Sequence, residues 1–133
     1  MGKFEYPRAE KLFHNPAYSH VVVASGGRTI YTAGQVSTDE RGEVVGAGDL
    51  AAQTAQVMRN LGLVLSSAGA SYEDVVKITT YVVNYRPEHR PIIGQVRAPF
   101  FAKGTPPAST LIGVAALAAP EWLIEIEAIA VID

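Results

Sequence analysis

The stretch EWLIEIEAIAVID, residues 121–133, constrains the fold more than any other part of the chain. In an extended strand, residues two apart share a face. Trp122, Ile124, Ile126, Ala128 and Ala130 then form one apolar face, and Leu123, Glu125, Glu127, Ile129 and Val131 form the other. Two carboxylates therefore stand side by side on a strand that is otherwise aliphatic. Either that face meets water, or it meets a partner subunit with one carboxylate held in a polar cleft.

The 133 residues suit one domain able to bury a core without staples. Apolar content is 48% and charged content only 18%, a weak hint that some surface is covered by oligomerisation. Eleven Lys and Arg stand against thirteen Asp and Glu, with no basic run, so no nucleic-acid partner is expected. The absence of cysteine excludes disulfides and thiolate metal sites. MGKFEYPRAEKLF lacks the apolar core of a signal peptide, and no apolar run approaches the roughly 20 residues of a membrane span. The expectation is a soluble cytoplasmic protein with no membrane partner.

Along the chain, residues 1–17 read as an irregular arm interrupted by Pro7 and Pro16. SHVVVAS and RTIYTAGQV read as two strands of a hairpin turned at Gly26 and Gly27. Gly34 marks a bulge or a close approach. A short extended piece is expected near Val44. Asp49 is a good N-cap, and Leu50, Thr54, Val57, Leu61, Val64 and Ala68 recur at helical spacing, which places a helix over 49–68 ended by Gly69. SYEDVVKITTYVVNY is a capped turn entering a long strand with Val76, Ile78, Thr80 and Val82 on one side. RPEHRPIIGQVRAPFF is a second helix, with Pro91 tolerable only in its first turn. ASTLIGVAAL and the closing stretch complete a β-β-α-β-α-β-β order. Such a chain is α+β, with two helices on one face of a mixed sheet. Alternation assigns Lys77, Thr79, Tyr81, Ser109, Leu111, Gly113, Glu125, Glu127 and Ile129 to the other face, a mixed surface of the kind oligomers bury.

YTAGQV, AAQTAQVMRNLGLVLSSAGASYEDVVKITTYVV, PPAST and LIEIEAIAV, in this order and spacing, resemble the Rid family, also called the YjgF family, from about Tyr31 to Val131. The resemblance implies a single chorismate-mutase-like domain assembled as a homotrimer, with clefts between neighbouring subunits. It implies an enamine or imine deaminase, a hydrolase that releases a carbonyl compound and ammonia and uses no metal or organic cofactor. By the same resemblance Glu125 is the acid that directs water, and Tyr18, Gly34 and the backbone at Thr110 border the cleft.

One departure bears on the substrate. Active relatives read Pro-Ala-Arg-Ser where this chain reads Pro107-Ala108-Ser109-Thr110. A guanidinium fork neutralises a carboxylate with two parallel donors, whereas the Ser109 hydroxyl donates one bond and carries no charge. A substrate other than a simple 2-imino acid is therefore expected. Gly94 stands where relatives place an asparagine, and Arg97, one helical turn on, is the candidate replacement cation. Glu127 reads as structural, paired with Lys77 or an arginine. His14, His20 and His89 do not have metal-ligand spacing, and the glycine-bearing GGRT and GAGDL lack a phosphate-loop pattern. A hydrolase is favoured narrowly over a trimer that binds a small metabolite without turnover. Nucleic-acid cleavage has no basic surface to support it.

Overall fold

The computed structural model describes residues 2–133. Its strands are β1 (Lys3–Glu5), β2 (Val23–Ser25), β3 (Arg28–Tyr31), β4 (Val75–Val83), β5 (Ala108–Val114) and β6 (Ile124–Ile132), and its helices are α1 (Leu50–Ser67) and α2 (His89–Arg97). A four-stranded sheet runs β3-β6-β4-β5, and β1 and β2 form a separate pair. β6 lies antiparallel to β3 and β4, while β4 and β5 are parallel. Parallel neighbours need a crossover, and α2 supplies it. The result is the α+β architecture expected, with both helices over one face of the mixed sheet.

The core follows from two periodicities meeting. β6 buries Ile124, Ile126, Ala128 and Ala130, as its alternation demands. Against it α1 buries Val57, Met58, Leu61 and Leu65. The helix starts where the sequence places it: the Asp49 carboxylate accepts the Ala52 N–H at 3.0 Å. It stops at Gly69, whose φ of +80° ends the turn. The stripe is rotated slightly, so that Met58 and Leu65 take the buried places expected for Val64 and Ala68. Pro91 is the third residue of α2, within its first turn.

Several local expectations are corrected. Gly26 and Gly27 do not turn a hairpin: β2 pairs with β1 and β3 with β6, and neither glycine has positive φ. Gly26 is required by proximity instead, because a Cβ there would lie 2.8 Å from the Ile132 carbonyl oxygen. The arm is irregular except for β1, which gives β2 its partner. The piece near Val44 makes only one antiparallel bridge, to Thr38. A register shift between Val75 and Lys77 puts Val75 rather than Val76 in the core.

Parity fails in β5. Its register pairs Ser109 with Ile78, Leu111 with Thr80 and Gly113 with Val82, so these three lie on the helix-covered face. The open face carries Ala108, Thr110 and Ile112. Neither set is cleanly apolar, so alternation could not choose between them. Pairing decided it, and a one-residue slip exchanges the faces.

One buried polar side chain ties the core to the loop before β6. The Gln53 amide donates to the carbonyls of Gly46 (3.2 Å) and Glu121 (2.9 Å) and accepts the Leu123 N–H at 2.9 Å. Replacing it by an apolar isostere strands backbone groups away from water, at about 1–3 kcal/mol for each that stays buried. Gln53→Leu is therefore expected to destabilise the protein by at least ~2 kcal/mol in urea unfolding, despite adding apolar surface to the core.

Candidate functional site

The anticipated site residues fall on two opposite faces of the sheet. Tyr18, Arg97 and Ser109 line one pocket of about 720 Å³ on the helix side, with Gly94, Tyr85 and Gly113. Glu125 and Thr110 stand on the open face, and Gly34 reaches Glu125 from the segment after β3. A single chain therefore does not bring all six residues together. Sequence alternation placed Ser109 and Glu125 on one face, and the β4–β5 register separates them.

The helix-side pocket is built by the crossover. α2 lies above β4 and β5, so its inward face looks down on Thr80 and Ser109. Arg97 donates from Nη1 to the Thr80 hydroxyl at 2.8 Å. Burial pushes its guanidinium pKa down, yet an arginine stays charged under ordinary conditions. Among the described residues no carboxylate lies within salt-bridge distance of it. Gly94 and Ser109 leave open the space beneath it that larger side chains would fill. Tyr18 closes one wall because the arm is stitched to β5. The Ser19 N–H donates to the Pro107 carbonyl at 3.1 Å and its hydroxyl to the Pro106 carbonyl at 2.5 Å. The Tyr18 ring also stacks edge-on against His20, with centroids 5.4 Å apart.

On the open face, Glu125 and Glu127 are neighbours along β6. Glu127 accepts the Tyr81 hydroxyl at 2.7 Å, and Lys77 donates to Thr110 at 2.6 Å. Glu127 is thus structural, as expected, but its partner is a tyrosine and not a base. Glu125 has no hydrogen-bond partner among the described residues. Its pKa is raised, first by partial burial and second by the charge on Glu127. The Tyr81 hydroxyl is pushed up as well, chiefly because it donates to Glu127. Gly34 explains how Glu125 is sheltered: a Cβ there would lie 2.6 Å from the Glu125 carboxyl carbon and 2.8 Å from its Cγ. Gly34 has no positive φ, so the close approach is what requires glycine.

Two lining residues, Tyr85 and Arg90, were missed by sequence reasoning. Arg90 was legible in principle, since it precedes Arg97 by seven residues, two helical turns, and so shares its face. Tyr85 follows the end of β4 and carries no motif.

The family model described as Endoribonuclease L-PSP matches residues 11–132. The chain belongs to that family. This is the Rid or YjgF family that the motifs resemble. A Rid-family structure from Yersinia pestis, the protein YyfB, superposes with a TM-score of 0.90 at 46% identity, covering 96% of this chain and 98% of that one. A RutC family protein of Synechocystis is 35% identical over 118 residues, 86% of this chain and 85% of its own. The 2-iminobutanoate/2-iminopropanoate deaminase of Rattus norvegicus is 35% identical over 115 residues, 86% of this chain and 80% of its own. No described helix of this Rid-family chain is long and apolar enough to cross a membrane.

The Gly34 contact yields a prediction. The obstructing atoms belong to a flexible side chain, so Gly34→Ala should leave the fold intact and push the Glu125 carboxylate outward. Hydration then relieves the desolvation that raises its pKa. Carboxyl titration by NMR should show the Glu125 pKa falling toward the ordinary glutamate value in the variant.

Proposed function

We propose that the protein hydrolyses a reactive enamine or imine to a carbonyl compound and ammonia, in clefts between the subunits of a homotrimer. The observation that carries this reading is the division of the site. An electropositive pocket with Arg97, Ser109 and Tyr18 occupies one face, and an unpartnered, sheltered carboxyl at Glu125 occupies the other. Each half lacks what the other offers, and packing one copy's open face near another copy's pocket would complete both. Relatives named as deaminases support the chemistry.

In this mechanism the substrate carboxylate sits under Arg97, held by the guanidinium fork and the Ser109 hydroxyl. Glu125 of a neighbouring copy orients a water, takes its proton as oxygen adds to the C=N carbon, and returns that proton to nitrogen. The carbinolamine hydroxyl then gives its proton to nitrogen, again by way of Glu125, as the C–N bond breaks, the C=O bond forms and ammonia leaves. A carboxyl with a raised pKa suits both halves of this transfer. The Thr110 backbone and the Gly34 segment border the ligand. With the anchoring cation moved from the strand to the helix, the substrate is larger than a simple 2-imino acid. The ribonuclease description of the family is not favoured, because acids outnumber bases and no basic stripe is present.

Imines generated by an amino-acid oxidase should decay faster with the protein present, with ammonia and keto acid as products. Glu125→Gln should remove that acceleration. Decay rates unchanged across a broad imine panel, with ligands still bound, would favour a non-catalytic metabolite-binding trimer. Sedimentation equilibrium should give three times the chain mass of 14.2 kDa, and a monomer would overturn the cleft.

The pH dependence follows from the two carboxylates. Glu127 raises the Glu125 pKa, so its charge extends the protonated form of Glu125 to higher pH. Removing that charge lets Glu125 ionise at lower pH. The Glu125-dependent limb of the kcat/KM profile should therefore move to lower pH in Glu127→Gln.

A further inference from the structure

The pocket under α2 holds a second cation that the mechanism above leaves unused. Arg90 and Arg97 both line it, seven residues apart on the same helix face, or about 10 Å along the axis. Gly94 stands between them and offers no side chain to separate their head groups. Nothing lies within 4 Å of where its Cβ would be. The opposite wall is neutral: Tyr18, Ser109, Leu111 and Gly113. No acidic residue lines the pocket, and among the described residues neither arginine has a carboxylate within salt-bridge distance. Arg86 provides the contrast, since it is paired with Glu88 at 3.1 Å.

Two like charges lining one acid-free pocket repel each other and attract anions. A single carboxylate answers only one of them. Arg97 is the inner anchor, half-buried and oriented by Thr80, whereas Arg90 is exposed at the outer end of the same groove. We infer that the ligand of this pocket is dianionic: a 2-imino acid whose side chain ends in a second carboxylate, with the 2-carboxylate under Arg97 and the distal one at Arg90. Resting on the deaminase reading for its imine, this inference adds the side-chain class that the site selects. It also accounts for the space left by Gly94 and Ser109, which a short aliphatic substrate would not fill.

Binding and turnover are tested separately so that the two readings can fail independently. Isothermal titration with glutarate and butyrate, which do not react, measures anion recognition without chemistry. A charge-assisted contact to a second carboxylate should make glutarate bind at least about tenfold tighter. In Arg90→Gln that ratio should collapse toward one, and Arg97→Gln should weaken both ligands. Oxidase-generated imines of glutamate and of 2-aminobutyrate then report catalysis, where the dicarboxylic imine should have the higher kcat/KM. Equal affinities in the wild type, or a preference that survives Arg90→Gln, would overturn the dianion inference, even if the monocarboxylic imine is hydrolysed. Selective glutarate binding that depends on Arg90, with no imine hydrolysed, would uphold the pocket's ligand class and sink the deaminase reading instead.

Discussion

The parallel pairing of β4 with β5 is the constraint on which the rest of the site depends. Lys77 opposite Ala108 sends Ser109 beneath α2 and Thr110 onto the open face. That register is held at the start of β5. The α2 crossover fixes where β5 begins, and Ser19 clamps the Pro106 and Pro107 carbonyls just before it. A slip of one residue would exchange every β5 side chain between faces. It would also move Ser109 out from beneath Arg97. The same pairing divides the chemistry. No side chain crosses the sheet, so a chain folded this way carries Arg97 and Glu125 on opposite faces.

The open face is mixed in character. Tyr31 is 75% exposed and Ile112 38% exposed, and they share the face with Glu125, Glu127, Lys77 and Tyr81. A purely solvated face has no use for the first two. A purely apolar interface has no use for the rest. Local pairing resolves the mixture: Tyr81 satisfies Glu127 and Thr110 satisfies Lys77, which leaves Glu125 as the acid with a free hydrogen-bonding capacity.

How much of this was readable from sequence varies with the kind of signal. α1 was legible to within a residue, because the Asp49 cap, the 3.6-residue stripe and Gly69 are all local. β6 was legible because its alternation is strong. β5 was not, because Ser109, Leu111 and Gly113 are no more apolar than Ala108, Thr110 and Ile112, and only a non-local register selects between them. The glycine pair at 26 and 27 misled for a related reason. Glycine serves tight turns and close approaches alike, and here the neighbour was β6, more than 100 residues away in sequence. Gly34 left a bulge and a close approach open; the fold shows the close approach, and the approaching group, Glu125, belonged to the tertiary structure. Resemblance pointed to Tyr18 and Glu125, while Arg90 lay outside every motif.

A pocket whose cation descends from a helix differs from one whose cation rises from a strand. An arginine on β5 would rise from the floor beside its ligand, with a short lever and a rigid base. Arg97 descends from the roof on a long side chain, and freezing such a chain carries an entropic penalty. The single bond to Thr80 offsets part of it by fixing the guanidinium before any ligand arrives. Burial disfavours the charged form, yet arginine cannot escape by releasing its proton. The strain of a partly desolvated cation is therefore relieved only by an anion. With Ser109 as a neutral floor and Gly94 as a gap in the roof, an anion bound there would be held from one side, with space left opposite.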